Sequence, residues 1–471
     1  MKRAAKNQHP LSDGQLLDRF RAAGQDHVFR WLDELSPSQR QRLLAQLRAI
    51  DLDWLSGAIE DYRSGRSAVP SHLAPADVLK PQGAQAARAA KLGEQLLRRG
   101  KVAAFLVAGG QGTRLGFDGP KGAFPIAPIT GKTLFHVHAE KILALSRRYG
   151  VPIPWYIMTS DATHEPTIAF FREHRFLGLP EADVVFLKQG VFPAFDLDGR
   201  LILEAKDRLF MNPNGHGGSI CAVHDAGALD DMRRRGIELL SYFQVDNPLV
   251  NIGDAVFIGL HAEAGAGMSS KVLARRDAEE KLGIVCKVEG KLHVVEYIDM
   301  PDAEMRATRP DGSLEFSAGS IAIHIISVDF VRRLNEEGVR LPLHFSKKKV
   351  PCLDEQGRLV EPAQPHGIKM EMFVFDALPL APNPVTLETT REEEFAPVKN
   401  ADGEDSPATA RQAMINRFGR WLSKAGVQIA RDPAGNVAGL IEISPLYALD
   451  EQELKQKLDP ALRFTGKLHL E

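Results

Sequence analysis

The chain reads KVAAFLVAGGQGTRLG from Lys101 to Gly116. Residues 102–108 form a continuous apolar run, which is typical of a parallel strand buried on both faces. The run ends in glycines, where the backbone can approach a ligand closely and successive N–H groups can bind an anion. Arg114 and Lys121 add positive charge beside the glycines. The stretch therefore predicts an α/β sheet with a phosphate site at the carboxyl end of a strand, and a glycine-rich turn without a ligand is the weaker alternative.

Strand and helix patterns alternate along the chain after this stretch. Further strands are predicted at 154–159, 184–187 and 239–245, and helices at 134–148, 161–174 and 219–235. Ser160 or Asp161 is the expected cap of the second helix. This alternation predicts a parallel sheet core. Beyond it, the sequence predicts a hairpin around 289–291, a strand at 320–326, and helices beginning at Val328 and spanning 407–424.

The first 63 residues show a different pattern. Apolar residues recur at helical spacing from residue 11, and Ser36 followed by Pro37 is typical of a helix start. These helices are expected to pack on a larger body, and a helix that binds a partner is the minor alternative. A Ser-, Pro- and Ala-rich break follows at 64–81. We therefore expect a helical N-terminal region at 1–75, a catalytic domain at 76–390 and a C-terminal region at 391–471.

Composition excludes several classes of protein. The 471 residues carry 59 Lys and Arg against 61 Asp and Glu, a net charge of −2, which argues against nucleic acid or an anionic membrane as partner. No run of 18 apolar residues predicts a membrane span. Cys221, Cys286 and Cys352 form no CxxC pair, so neither a zinc ribbon nor a disulfide framework is expected. The basic segment Met1–Lys6 leads into no apolar signal region. We expect a cytoplasmic protein, and the sequence predicts no oligomeric state.

Four familiar motifs fail at single positions. Leu115 stands where the dinucleotide fingerprint GxGxxG requires its third glycine. Gly131-Lys132-Thr133 ends like a P-loop, but Ile126 occupies the place of the first glycine, so we interpret the segment as a turn. Ile168 replaces the second histidine of a zincin, and Cys221 replaces the last glycine of a nucleophile elbow. Dehydrogenases, metalloproteases and serine hydrolases are therefore disfavoured.

The glycine-rich loop, GGQGTRLG at 109–116 with PKG at 120–122, resembles the signature of nucleotidyltransferases that make nucleotide sugars. The longer sequence is similar to the UDP-sugar pyrophosphorylases, above all the eukaryotic-type UDP-N-acetylglucosamine pyrophosphorylases. The resemblance covers roughly residues 100–415 and continues through blocks at 213–218, 244–250, 294–297, 341–344, 348–351, 366–376 and 391–402.

The resemblance implies a Rossmann-like nucleotidyltransferase fold of the GT-A kind with a mixed sheet. It also implies a Mg²⁺-dependent enzyme that joins UTP to a sugar 1-phosphate and releases pyrophosphate. Because the attacking phosphate is already an anion, such an enzyme needs positioning and cations rather than a nucleophilic side chain.

The resemblance also assigns roles to individual positions. The phosphate-contacting cations would be Arg114, Lys121, Lys369 and Lys399. The nucleotide would be bound by Val107, Ala108, Gly109, Gly110, Gln189, Gly215 and Asp246. The sugar would be bound by His216, Glu296, Tyr297 and Ser317. Asp246 would also ligate the metal.

Elementary chemistry supports some of these roles and leaves others open. Asp246 follows an apolar strand and offers the oxygen that Mg²⁺ prefers, yet Pro248 makes a helix N-cap a serious alternative. The Gln189 amide can donate and accept at a uracil edge, or it can be an ordinary loop amide. Lys369 lies in an apolar stretch, where an unpaired ammonium is costly, and this favours a phosphate partner.

Two departures from the family concern the sugar. His216 stands where the N-acetylglucosamine enzymes carry Asn, as in UDP-glucose and broad UDP-sugar pyrophosphorylases. The Asn-rich block NAGNIANH here reads SAGSIAIH at 317–324, so Ile323 replaces an amide. N-acetylglucosamine 1-phosphate and glucose 1-phosphate are the expected substrates, with galactose and N-acetylgalactosamine 1-phosphates still open. A non-catalytic UDP-sugar-binding protein and a UDP-sugar-dependent glycosyltransferase are the alternatives, although Asp246-Asn247-Pro248 lacks the Asp-x-Asp of the latter.

Overall fold

A computed structural model describes residues 11–65 and 72–471. These residues form two compact units. The smaller unit contains residues 11–65, 189–221 and 335–376, and the larger unit contains residues 72–188, 222–334 and 377–471. The basic N-terminal segment and part of the predicted break at 64–81 lie outside the described residues. The division at residues 75 and 390 stays a prediction.

The larger unit is built on an 11-stranded mixed sheet. Eight strands follow one another across it in the order Val78–Leu79, Thr386–Thr389, Met268–Ala274, Ala318–Ser327, Leu239–Gln244, Val102–Val107, Trp155–Thr159 and Val184–Lys188. The last four are mutually parallel, as predicted. Ala318–Ser327 runs antiparallel to both of its neighbours, so the sheet is mixed, also as predicted.

A hairpin extends this sheet. Ile284–Val288 and Lys291–Val295 pair antiparallel, and Leu73–Pro75 pairs with the first of them. Glu289 and Gly290 form the two-residue turn with φ of 50° and 82°, the left-handed geometry that suits tight hairpins. The predicted hairpin is confirmed, with Lys291 belonging to the second strand.

Helices cover the sheet of the larger unit. The predicted helices at 134–148 and 407–424 are confirmed as Leu134–Tyr149 and Pro407–Lys424. The other helices are Gly83–Arg98, His164–Glu173, Ala228–Arg235, Ala255–Ala264, Asp302–Arg306, Val328–Glu336, Arg391–Glu394 and Glu451–Lys457. Near the carboxyl end, Leu440–Ile443 and Lys467–Leu470 form a separate parallel pair.

Two predicted helices differ from the structure. The helix predicted at 161–174 begins at His164 with Thr163 as its N-cap, so Ser160 and Asp161 do not cap it. The Ser160 hydroxyl is instead hydrogen-bonded to the Gly109 carbonyl at 2.8 Å. The helix predicted at 219–235 is two helices, Ser219–Asp225 and Ala228–Arg235, because Gly227 adopts a left-handed φ of 69° that ends the first one.

The smaller unit packs N-terminal helices on short strands from later in the chain. The helices are Asp13–Ala22, Pro37–Arg48 and Leu52–Arg63. Ser36 caps the second with a capping box and Pro37 follows it, as predicted. The strands are Val191–Pro193, Phe195–Asp196, Leu203–Ala205, Arg208–Leu209, Met211–Pro213, His344–Lys348, Cys352–Leu353, Leu359–Val360 and Gly367–Glu371. Phe20, Leu43 and Leu55 share one apolar cluster with Phe195 and Ile368, so the helices pack on a body as expected.

A search of residues 11–65 and 72–471 finds no helix that is both long enough and apolar enough to span a membrane.

Candidate functional site

The glycine-rich loop follows the strand Val102–Val107 directly. Its base is closed by hydrogen bonds from Gly112 N–H to Gly119 O (2.9 Å) and from Lys121 N–H to Gly110 O (3.0 Å). Ser160 holds the Gly109 carbonyl from the neighbouring strand end. Among residues 11–65 and 72–471, no carbonyl accepts a hydrogen bond from the N–H of Gly109 or Gly110. The loop thus offers two backbone donors to a ligand, which is what an anion site requires.

Lys121 joins this loop to Asp246. Its Nζ lies 3.5 Å from Asp246 Oδ2, and the two side chains are only 18% and 13% exposed. Arg114 lies on the short helical turn Thr113–Leu115 of the same loop and is exposed. The structure therefore brings Gly110, Lys121 and Asp246 together, as a phosphate and metal site would need.

Asp246 lies in a turn after the strand Leu239–Gln244. Gln244 pairs with Val107, so the turn and the glycine-rich loop leave the sheet at the same edge. The next helix begins after Asp254, whose carboxylate accepts hydrogen bonds from the N–H groups of Val256 and Phe257. The alternative that Asp246 caps a helix is therefore wrong, because no helix begins within reach of it.

Lys399 lies on a segment attached to that turn. The N–H of Val398 donates to the Asp246 carbonyl at 2.9 Å. The Lys399 ammonium lies 3.2 Å from Asp405 Oδ2 and 5.7 Å from the ring centre of Phe395. A backbone hydrogen bond thus holds the segment of Lys399 beside Asp246, although the two predicted phosphate-site residues are distant in the sequence.

The predicted sugar residues of the larger unit lie at the end of the hairpin. Ile284 pairs with both Val295 and Gly319, which places the following Glu296 and the nearby Ser317 beside the same strand end. Glu296 and Tyr297 are half-buried. Ile323 points elsewhere, because its side chain is 4% exposed and belongs to the main apolar core.

The smaller unit holds Gln189, Gly215, His216 and Lys369. Backbone hydrogen bonds join their segments, from Asn214 N–H to Gly190 O (3.0 Å) and from Met372 N–H to Asn214 O (2.8 Å). Gly215 has a φ of 83°, and a Cβ there would lie 2.4 Å from the Met372 carbonyl oxygen. Glycine is therefore required at 215 by the fold itself.

Gln189 and Lys369 differ in their surroundings. Gln189 is 7% exposed, and within the part of the chain that the structure describes its side-chain amide makes no hydrogen bond. The interpretation of Gln189 as an ordinary loop amide therefore has no hydrogen bond in that part of the chain to support it. The Lys369 ammonium lies 4.9 Å from the ring centre of Phe210, and burial lowers its pKa.

His216 has a defined hydrogen-bonding state. Its Nδ1 accepts a hydrogen bond from the Val374 N–H at 3.1 Å, and its ring stacks on Phe373 with centres 5.1 Å apart. Burial, together with the nearby His344, lowers the pKa of His216 to about 4. The ring is therefore neutral near pH 7 with its proton on Nε2, so the atom left for a ligand is a donor.

Three residues that support predicted site residues were not predicted from the sequence to do so. Ser160 fixes the glycine loop, Asn247 binds the segment before Lys399, and Phe373 supports His216. The position of Asn247 directly after Asp246 was the one available signal. In the described ranges, no group of three or more His, Cys, Asp or Glu side chains is placed to hold a metal ion.

Comparisons with known proteins agree with this geometry. The family model for UTP--glucose-1-phosphate uridylyltransferase matches residues 70–456. The chain is 38% identical to human UDP-N-acetylhexosamine pyrophosphorylase-like protein 1 over 94% of each chain. It is 37% identical to the UDP-N-acetylglucosamine pyrophosphorylase of Saccharomyces cerevisiae over 78% of each.

Among solved structures, the uridine diphosphate N-acetylglucosamine pyrophosphorylase of Trypanosoma brucei, solved with an inhibitor, has a TM-score of 0.82 and 26% identity. The match covers 98% of this chain and 99% of that one. The fold is thus that of the UDP-sugar pyrophosphorylases, as the glycine-rich loop and its resemblance implied. The chain belongs to the UTP--glucose-1-phosphate uridylyltransferase family.

Proposed function

We propose that the protein is a uridylyltransferase that forms a UDP-sugar and pyrophosphate from UTP and a sugar 1-phosphate. The observation that carries this proposal is the grouping of the free glycine-loop N–H groups with Lys121 and Asp246. Family membership supports the same reaction class.

The reaction forms one P–O bond and breaks another. A phosphate oxygen of the sugar 1-phosphate attacks the α-phosphorus of UTP, and the bond from that phosphorus to the β-phosphate oxygen breaks as pyrophosphate leaves. The attacking oxygen needs no deprotonation. Repulsion between the anions is the main barrier, so fixed cations aimed at the phosphates supply most of the catalysis. Arg114, Lys121, Lys369 and Lys399 are the proposed cations.

Asp246 is the proposed ligand of a Mg²⁺ ion. Mg²⁺ in nucleotide enzymes is usually held by one or two carboxylates together with substrate phosphates, and a single half-enclosed carboxylate beside the glycine loop fits that donor set. The ion, when bound, supplies positive charge to the phosphate oxygens. Lys121 keeps the Asp246 carboxylate partly neutralised and positioned.

We assign the nucleotide to the backbone of Val107, Ala108, Gly109 and Gly110, with Gln189 and Gly215 at the base. The buried Gln189 amide offers a donor and an acceptor, which match the uracil edge. Cytosine presents the reversed pattern at N4 and N3, which a rotated amide also matches, so comparing CTP with UTP tests the nucleotide preference of the whole site.

We assign the sugar to His216, Glu296, Tyr297 and Ser317. The names of the relatives favour an N-acetylhexosamine 1-phosphate. His216 favours glucose 1-phosphate instead, because it stands where the N-acetylglucosamine enzymes carry Asn and resembles the UDP-glucose enzymes there. N-acetylglucosamine and glucose 1-phosphates are therefore the two proposed substrates. We also propose a cytoplasmic location, which the free thiols of all three cysteines support.

A substrate panel tests the proposal. Purified protein with UTP and Mg²⁺ should release pyrophosphate with N-acetylglucosamine 1-phosphate or glucose 1-phosphate. The galactose and N-acetylgalactosamine analogues complete the panel, and CTP in place of UTP is the matched nucleotide control. A protein that binds UDP-sugars yet releases no pyrophosphate with any of the four would be a binding protein instead.

A further inference from the structure

We propose that Asn247 is a positioning residue that holds the Asp246 turn against the segment carrying Lys399. This inference rests on the proposed function, because it assigns Asn247 to holding Asp246 and Lys399 in the positions that the phosphates require. Asn247 is 5% exposed, and both atoms of its amide already bind backbone groups of the protein.

The Asn247 amide makes three hydrogen bonds to backbone groups from two segments. Its Nδ2 donates to the Glu394 carbonyl at 2.6 Å. Its Oδ1 accepts from the N–H groups of Ala396 and Leu249, each at 3.2 Å. Together with the bond from Val398 to Asp246, the amide clamps residues 394–398 along the turn. An amide donates through its nitrogen and accepts through its oxygen, so this one side chain can bind a carbonyl and two N–H groups at the same time.

The far end of the clamped segment is itself fixed. The Glu394 carboxylate lies 2.5 Å from the Lys271 ammonium, which is 1% exposed and also lies 2.5 Å from Asp254. Burial acts to lower the pKa of Lys271, but the Asp254 and Glu394 carboxylates raise it above its ordinary value. Glu394 is thus held both by its side chain and, through Asn247, by its backbone.

The core side of the turn is held by other groups. The Lys141 ammonium donates to the carbonyls of Pro248 (2.5 Å) and Val250 (2.8 Å), and Arg417 donates to that of Leu249 (2.9 Å). Removing the Asn247 amide would therefore leave the turn anchored to the core. It would remove the three hydrogen bonds of the amide, two of which reach residues 394–396, and it would leave the bond from Val398 N–H to the Asp246 carbonyl.

Asn247→Ala tests the clamp by hydrogen exchange and by kinetics. In the ligand-free full-length protein, peptides covering residues 394–405 should exchange several-fold faster than in the wild type. Because small displacements of a positioned group cost up to about a hundredfold in rate, kcat should fall roughly ten- to a hundredfold. Asn251→Ala, an exposed asparagine of the same loop, is the matched control and should change neither measurement.

A double-mutant cycle separates positioning from general packing. If Asn247 acts through Lys399, Asn247→Ala should lower kcat much less in a Lys399→Ala background than in the wild type. Should Asn247→Ala fail to fold, Asn247→Asp serves in the same cycle, since it keeps the Oδ1 acceptor and replaces the donor to Glu394 by an oxygen. It also adds a charge next to Asp246, so Asn251→Asp is its control.

Two results would overturn the inference: unchanged exchange at residues 394–405, or fully additive effects of the two substitutions. A wild type that releases no pyrophosphate with any sugar would instead overturn the proposed function, and the exchange measurement would still decide whether the clamp exists.

Discussion

The Nζ of Lys121 lies 3.5 Å from Oδ2 of Asp246, although 125 residues separate them in the sequence. The two are neighbours because Val102–Val107 and Leu239–Gln244 are adjacent parallel strands, so the loops that follow them meet at one sheet edge. The ammonium partly neutralises the carboxylate before any phosphate arrives. A triphosphate entering here would draw Lys121 away and leave Asp246 available for a cation.

Asp246→Asn should abolish most of the Mg²⁺-dependent activity. The amide keeps the shape of the side chain but loses the charge that a hard cation needs, so kcat should fall by about a hundredfold or more. Pyrophosphate release measured over a Mg²⁺ titration checks this. Asp329→Asn, at an exposed aspartate, is the control. An unchanged Mg²⁺ response in Asp246→Asn would remove this carboxylate from the metal site.

Arg114→Ala should lower kcat by roughly a hundredfold while leaving thermal stability within about 2 °C of the wild type. The Arg114 side chain is exposed on a loop and supports no core packing. Its loss should therefore lower the reaction rate without lowering the stability of the fold. Steady-state kinetics and a thermal melt provide the two readouts, with Arg99→Ala as an exposed control. Equal kcat in wild type and variant would place Arg114 outside the reaction.

The parallel core could be predicted because both faces of its strands are covered, which makes each one a continuous apolar run. Val102–Val107 is buried at five of its six positions. Helix ends were harder to predict, because a cap depends on where a hydroxyl finds its partner. Ser160 looked like a cap, but its hydroxyl binds Gly109 and Thr163 instead. At Gly227, one left-handed residue splits a segment whose apolar pattern continues unbroken.

The site was predictable in its residue types but not in its supports. The glycines and cations of 109–121 predict a phosphate-binding loop from the sequence alone. Nothing in the sequence indicates that Lys141, 107 residues away from Pro248, fixes the turn behind Asp246. Nor could it show that Ile323 lies in the core, where its replacement of an amide affects packing rather than direct contact with a sugar. Such long-range contacts depend on the tertiary arrangement.

His216→Asn should shift the ratio of kcat/KM for glucose 1-phosphate to that for N-acetylglucosamine 1-phosphate. The His216 ring offers a donor at Nε2, whereas an Asn side chain is shorter and offers a donor and an acceptor. Leaving one buried donor or acceptor without its partner costs about 1–3 kcal/mol, or roughly 5- to 150-fold in the ratio. His224→Asn, at an exposed histidine, is the control. An unchanged ratio would separate residue 216 from sugar choice.

His138 should make the protein less stable in acid. It is fully buried, its Nε2 is hydrogen-bonded to the carbonyl of Val245 at 3.1 Å, and burial lowers its pKa to about 3. In the unfolded chain the pKa of His138 is about 6.5. Below that pH the unfolded state therefore binds a proton that the folded state does not bind. The stability contributed by the neutral ring is therefore present above pH 6.5 and falls as the pH is lowered. Between pH 7 and pH 5 this single group should cost about 2 kcal/mol.

The comparison with His138→Gln isolates that contribution. Gln keeps a donor near the Val245 carbonyl but does not titrate, so its free energy of unfolding should fall less between pH 7 and pH 5 than that of the wild type. His216 and His261, whose pKa values burial also lowers to about 4, are present in both proteins and cancel in the difference. Urea unfolding at the two pH values measures it, with His224→Gln as the control. Equal losses in wild type and His138→Gln would mean that the His138 ring takes up its proton without unfolding.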